Sequence, residues 1–184
     1  MDQLFAPWRI EWVERDRDND ADDRCVFCTF ADPAVEDRER LVVARTGDAY
    51  VLLNNYPYNP GHLLIIPHQH TGRYQALEPA ASDAMEALTR RSLEALEAAF
   101  DPDGFNTGCN LGSAAAGGSL GDHVHRHVVP RWSGDTNFMP VLTETKVIVQ
   151  ALDDTYSALH SAFAEQPGTT TAGEGAVILE DSHH

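Results

Sequence analysis

Residues 121–132, GDHVHRHVVPRW, place histidines at 123, 125 and 127, every second position. In an extended strand alternate side chains share a face, so His123, His125 and His127 project one way while Val124, Arg126 and Val128 project the other. One side of such a strand is a wall of imidazoles and the other is a packing surface. Imidazole titrates near neutral pH, ligates metals through its unprotonated nitrogen and can act as a nucleophile. The wall therefore suits a metal site, a catalytic site or both.

Short apolar runs bounded by turn residues surround this strand. RLVVART at 40–46 and AYVLLN at 49–54, joined near Gly47 and Asp48, predict a hairpin. YPYNPG then turns the chain into HLLIIP at 62–67, a third strand, and GFNTGCNLG at 104–112 supplies a fourth before the histidine strand. Residues 79–100 open with Pro79 and carry Met85, Leu88, Leu96 and Phe100 near helical spacing, which predicts the main helix. A second helix is expected from about Glu144 to Ala164. Together these elements indicate an α+β domain built on a five-stranded, mostly antiparallel sheet with two main helices. A chain of 184 residues that is 42% hydrophobic suits one such domain. We place it at 24–165, after an N-terminal arm and charged loop over 1–23 and before a Gly- and Thr-rich tail, 166–184, expected to be flexible.

Charge narrows the partners. Acidic residues outnumber basic ones 29 to 13, and the formal net charge is −16, which repels duplex nucleic acid and anionic membranes. A small anionic ligand remains compatible, because clustered backbone N–H groups can bind phosphate inside an acidic protein. No long apolar run occurs, and MDQLFAPWRIEW lacks the pattern of a signal peptide, so a cytoplasmic protein is expected.

Cys25, Cys28 and Cys109 cannot all pair within one chain, and the CxxC spacing of the first two suits a metal better than a structural disulfide. Two thiolates across a tight turn are half of a tetrahedral zinc site, and imidazoles would complete it. The candidates at strand ends are His68, His70 and His123, of which a closed site needs two. Against this stands the plainer possibility of two buried cysteines beside unrelated histidines. A thioredoxin-like use is weaker, since no βαβ unit surrounds the pair. Cys109 reads as a small buried hydrophobe.

Upstream of the triad, GSAAAGGSLGD places Gly117, Gly118, Ser119 and Gly121 in the connection that feeds the histidine strand. Glycines let a backbone approach an anion closely, and Ser119 adds a hydroxyl donor. Phosphate held beside an imidazole allows in-line attack by nitrogen on phosphorus and a covalent phosphoramidate.

HVHRHVV resembles the motif of the histidine triad (HIT) superfamily, and the resemblance extends to NNYPYNPGHLLIIPHQH, the GGS loop and the CxxC turn. The details GGSLGDHVHRHVVPRWSGDTNF, TKVI beyond them and the Trp8-Arg9 arm are most similar to the diadenosine tetraphosphate phosphorylase branch. That resemblance implies a HIT-like α+β fold, a homodimer, a nucleotide as small-molecule substrate and group transfer through a nucleotidyl-histidine. By position it implies His125 as nucleophile, with His127 and His62 as hydrogen-bonding partners. Asn54 would hold the ribose, while Asn110, Gly118 and Ser119 would hold phosphate. Val26, Phe27, Phe30 and Leu52 would form the apolar slot for the base. Cys25, Cys28, His70 and His123 would bind a structural Zn2+. Arg126 departs from the motif, since it occupies an apolar position. Ser119 stands where many dinucleoside polyphosphate hydrolases carry glutamine, and the resemblance implies that a small residue there leaves room for inorganic phosphate as acceptor in place of water.

Neighbouring readings are a nucleoside phosphoramidate hydrolase and a sugar-1-phosphate nucleotidylyltransferase. A different class is a zinc-stabilised nucleotide-binding protein with little turnover. A metallohydrolase using all three triad histidines on one ion is discouraged, because positions i to i+4 spread roughly 13 Å along a strand.

Overall fold

The computed structural model describes residues 25–31, 37–112, 122–135, 151–171, 173 and 175–180. The expected hairpin is present as β1 (Val42–Arg45) and β2 (Ala49–Leu53), followed by β3 (Leu63–Pro67). Pro79 opens the long helix α2 (Pro79–Phe100), which ends where Asp101 turns left-handed and its N–H bonds Glu97 C=O. Before these elements lies a short helix, α1 (Val26–Phe30), in the CxxC segment. After α2 come β4 (Gly104–Cys109) and the histidine strand β5 (Arg126–Arg131). Helix α3 spans Leu152–Ala164. It starts at Leu152 and not near Glu144, because Ala151 before it is extended, with ψ of 148°; residues 144–150 lie outside the described residues.

Among the described residues the sheet has seven strands and not five, in the order β4-β5-β3-β2-β1, then β7 (Val177–Leu179) and β6 (Thr169–Thr170) at the edge. The additions are β6 and β7, both within the stretch expected to be a flexible tail. β7 pairs parallel with β1 and antiparallel with β6, and the other strand pairs are antiparallel. The apolar run AVIL at 176–179 covers a sheet edge that would otherwise be open.

Alternation divides the sheet into two faces. Val43, Val51, Leu53, Leu63, Ile65, Val124 and Val128 meet Met85, Leu88 and Leu96 of α2 and Tyr156, Leu159 and Phe163 of α3 in the larger core. Val42, Tyr50, Leu52, Leu64 and Ile66 point the other way and gather around Phe27 of α1. His127 lies opposite Leu64 in the β3–β5 register, so it shares this second face, and Val128 opposite Leu63 shares the first. The parity read from the sequence is therefore the parity of the sheet.

Arg126 faces the helices. Its guanidinium reaches Glu86 and Thr89 of α2 at 2.9 Å each and Tyr74 Oη at 3.3 Å. A charge in an apolar position is thus met by a carboxylate and two hydroxyls at the margin of the core. The Arg126 hydrogen bond, outweighing partial burial, holds the Glu86 carboxyl below its usual range.

A candidate metal and histidine site

The turn YPYNPG delivers His62 to the start of β3. Gly61 is left-handed, with φ of +78°, and a Cβ there would come within 2.9 Å of Leu96 on α2. Glycine is required on both counts. Across the sheet, Asn59 donates to Pro130 C=O at 3.0 Å and to Asp135 Oδ2 at 2.7 Å. Arg131 clamps the same carboxylate from Nε at 2.6 Å and Nη2 at 2.8 Å. This arginine holds the Asp135 carboxyl below its usual range. The turn before His62 is thereby tied to the end of the histidine strand. Sequence reasoning does not single out Asn59, Tyr58 or Asp135; YPYNPG and RWSGD are the segments that contain them.

Four hydrogen bonds set the protonation of the imidazoles. The Tyr58 backbone N–H donates to His62 Nδ1 at 3.1 Å, and Asn54 Nδ2 approaches the same nitrogen at 3.2 Å. Nδ1 is therefore an acceptor, and the proton of neutral His62 sits on Nε2. That nitrogen lies 2.9 Å from His127 Nδ1, which must then accept and carry its own proton on Nε2. His125 runs the opposite way: Nδ1 donates to His123 C=O at 3.0 Å, which puts its lone pair on Nε2. Tyr58 stacks on His62 with rings 5.0 Å apart and 14° from parallel, and the His125 and His127 rings are 5.0 Å apart.

His123 is directed elsewhere. Its Nε2 donates to Pro67 C=O at 2.8 Å, leaving Nδ1 to face Cys25 Sγ at 3.4 Å and Cys28 Sγ at 3.7 Å. His70 Nδ1 lies 3.2 Å from Cys28 Sγ and 3.3 Å from His123 Nδ1. Val124 N–H bonds Thr71 C=O at 2.7 Å, which brings the His70 segment to the start of the triad. The four ligand atoms of Cys25, Cys28, His70 and His123 all lie within 4.8 Å of one another, so the cluster could hold a metal ion. A tetrahedral ion with bonds of about 2.0–2.3 Å sets its ligands about 3.3–3.8 Å apart, close to the separations found. Burial lowers the pKa of His123 to about 4, keeping it neutral as a ligand must be. Burial first, and then Cys25, push the Cys28 thiol up to about 11 in the ion's absence. His68, the competing imidazole, turns instead toward Tyr50, its ring 5.6 Å away.

Phe27 joins the two parts, with its ring 5.6 Å from His123 and 5.2 Å from His125. With Leu52, and with Val26 and Phe30 packed beside them, it forms an apolar wall on the histidine face. Asn54 is 9% exposed; its oxygen accepts from Tyr56 N–H at 2.9 Å and one amide N–H points to His62. One lone pair and one N–H remain in its inventory for a ligand. Asn110 follows β4 and is half-buried. Gly118 and Ser119 lie outside the described residues.

The fold and site define an α+β protein in which a two-sulfur, two-nitrogen cluster and an oriented histidine relay share one face of a sheet. The HIT domain family matches residues 36–134, and the chain belongs to the HIT domain family. It is 40% identical over 172 residues to the AP-4-A phosphorylase of Mycobacterium tuberculosis, covering 91% of this chain and 87% of that protein. It is 31% identical over 94 residues to the asymmetrical bis(5'-nucleosyl)-tetraphosphatase of Schizosaccharomyces pombe, covering 51% of this chain and 50% of that one. Among solved structures, a Zn-bound histidine triad family protein from Mycobacterium smegmatis superposes with a TM-score of 0.61 at 26% identity, covering 77% of this chain and 94% of that one.

Proposed function

We propose that this chain is a nucleotidyltransferase that cleaves dinucleoside polyphosphates of the diadenosine tetraphosphate kind through a nucleotidyl group on His125, with inorganic phosphate as acceptor. The observation that carries the reading is the His125 Nδ1–H bond to His123 C=O, which presents Nε2 as the attacking atom. Likeness to the mycobacterial AP-4-A phosphorylase over most of both chains supports the substrate class and the acceptor.

His125 Nε2 forms a bond to the α-phosphorus while the bridging oxygen leaves with the remaining nucleoside polyphosphate. His127, whose proton lies on Nε2 through the His62 relay, donates that proton to the leaving oxygen. An oxygen of phosphate then displaces His125 and forms a nucleoside diphosphate. Water in its place would give the monophosphate. Val26, Phe27, Phe30 and Leu52 receive the base, Asn54 the ribose hydroxyls, and Asn110, Gly118 and Ser119 the phosphates. Cys25, Cys28, His70 and His123 hold a structural Zn2+, whose chemistry when bound is to cross-link the CxxC turn to the triad strand.

Incubation with diadenosine tetraphosphate, with and without phosphate, tests the reading. ADP and ATP formed in a phosphate-dependent reaction are expected; AMP formed regardless of phosphate would make the enzyme a hydrolase. His125→Ala should bind nucleotide, form no adenylated protein and lose at least about a thousandfold in rate. Near-normal turnover by that variant would refute the mechanism, and an adduct mapped to His127 would reassign it.

A further inference from the structure

A strand beyond the family-matched region is joined to the candidate site by one buried carboxylate. The HIT match ends at residue 134, whereas β7 lies at Val177–Leu179 and pairs with Ala44 and Arg45 of β1. Just before β7, the Ala176 N–H donates to Asp37 Oδ2 at 3.0 Å. Asp37 Oδ1 accepts from Arg45 Nε at 3.0 Å and also from Nη2. Arg45 goes on to donate to Phe30 C=O at 2.7 Å and Ala31 C=O at 3.4 Å. The two side chains are 4% and 8% exposed.

These contacts meet the part of the site least able to support itself. Helix α1 has five residues, too few to persist alone, and beyond the bond from Ala31 N–H to Cys28 C=O its last carbonyls turn to side chains from outside the helix. Tyr50 O–H donates to Phe27 C=O at 2.7 Å, Arg40 to Thr29 C=O at 2.9 Å, and Arg45 to Phe30 C=O and to Ala31 C=O just beyond the helix. Asp37 itself sits on a turn that ends with Leu41 at φ of +62°, a region that favours glycine. Ala176 packs in the same apolar cluster as Phe27, Tyr50 and Leu52.

We propose that β7 is a positioning element for the Cys25–Cys28 turn, acting through Asp37 and Arg45, so that the C-terminal part of the chain holds the metal ligands and the Phe27 wall in place. The functional meaning rests on the reading of that turn as metal and base site; the coupling itself does not.

Iodoacetamide alkylation of the full-length protein, read by peptide mass spectrometry, follows the turn at Cys25 and Cys28. Cys109 on β4, at the opposite end of the strand order from β7 and β6, serves as internal reference. Ala176→Pro removes one N–H, and Gly175 before it tolerates the restriction that proline imposes. Asp37→Asn removes the carboxylate charge. In both variants Cys25 and Cys28 should react about tenfold faster or more, with Cys109 within about twofold of its original rate, as a local opening requires. Unchanged rates at Cys25 and Cys28 in folded Ala176→Pro would overturn the proposal. A parallel rise at all three cysteines would overturn it too, because the strand would then support the whole sheet and not the turn. If Asp37→Asn does not fold, Ala176→Pro carries the comparison. Absence of metal from the original protein, with the turn still opening in the variants, would defeat the metal reading and leave the coupling standing.

Discussion

Among the triad histidines, His125 holds its proton on Nδ1 while His123 and His127 hold theirs on Nε2, and backbone groups decide it directly or through His62. His123 gives Nε2 to Pro67 C=O, His125 gives Nδ1 to His123 C=O, and His127 accepts at Nδ1 from a His62 that Tyr58 N–H has already oriented. That the three histidines share a face was legible in the sequence because alternation is a property of any strand; their separate roles were only implied by the resemblance. The tautomers were not legible, since they depend on carbonyls and N–H groups that only the fold brings near. His127→Ala should slow cleavage of diadenosine tetraphosphate about 100- to 10,000-fold, the usual range for a lost general acid. The loss should shrink for a substrate whose leaving group needs no proton, such as adenosine 5′-p-nitrophenyl phosphate. Equal losses on both substrates would remove His127 from that role. For the metal, elemental analysis should find about one zinc per chain. His70→Ala should lose it and His68→Ala keep it, the reverse result moving the fourth ligand to His68.

The elements hold these side chains through two anchors outside the motif, one on the YPYNPG turn and one on the CxxC turn. Gly61 is needed both for its left-handed φ and for its approach to Leu96. Gly61→Ala should cost about 1–3 kcal/mol in denaturant unfolding, the usual penalty for forcing atoms into a packed site. A neutral result would show that α2 yields. The Asp135 anchor depends on pH. An unfolded aspartate titrates near pH 4, and Arg131 holds the folded carboxyl below its usual range. The unfolded chain therefore binds more protons across that interval, so the stabilisation is full above about pH 4 and is lost as pH falls through the folded value. Thermal scans between about pH 6 and 3 should show the advantage of the original protein over Asp135→Asn, about 1.5–3 kcal/mol for a charged hydrogen bond, shrinking on acidification. The CxxC, the NPG turn, the β1–β2 hairpin and α2 all announced themselves through punctuation and periodicity. β6 and β7 did not, because two and three residues are too short to show a period and their neighbours are glycine and threonine. The pairing that makes them strands comes from β1, more than a hundred residues away in sequence.

At the scale of the whole molecule, the sheet ends in β4 on one side and β6 on the other. β4 is largely exposed along Asn106, Thr107 and Gly108, and the resemblance implies that two chains associate. Light scattering should find a dimer, strengthened by salt because a formal charge of −16 on each chain must be screened before they approach; a monomer at high salt would exclude it. Among the described residues no helix is long and apolar enough to cross a membrane. The two faces of the sheet carry a consequence for how such a protein can change. Over residues 123–128 the histidines at 123, 125 and 127 lie on one face and Val124, Arg126 and Val128 on the packing face, so mutation can explore one set without trespassing on the other. Arg126 fits that separation: a charged residue in the packing set is met by Glu86 and Thr89, and the spacing of the histidines on either side of it is unaffected. The same separation makes the segment brittle to a different kind of change. Insertion or loss of a single residue within it would exchange the two sets at a stroke, so lineages of this chain should vary there by substitution and hardly ever by length.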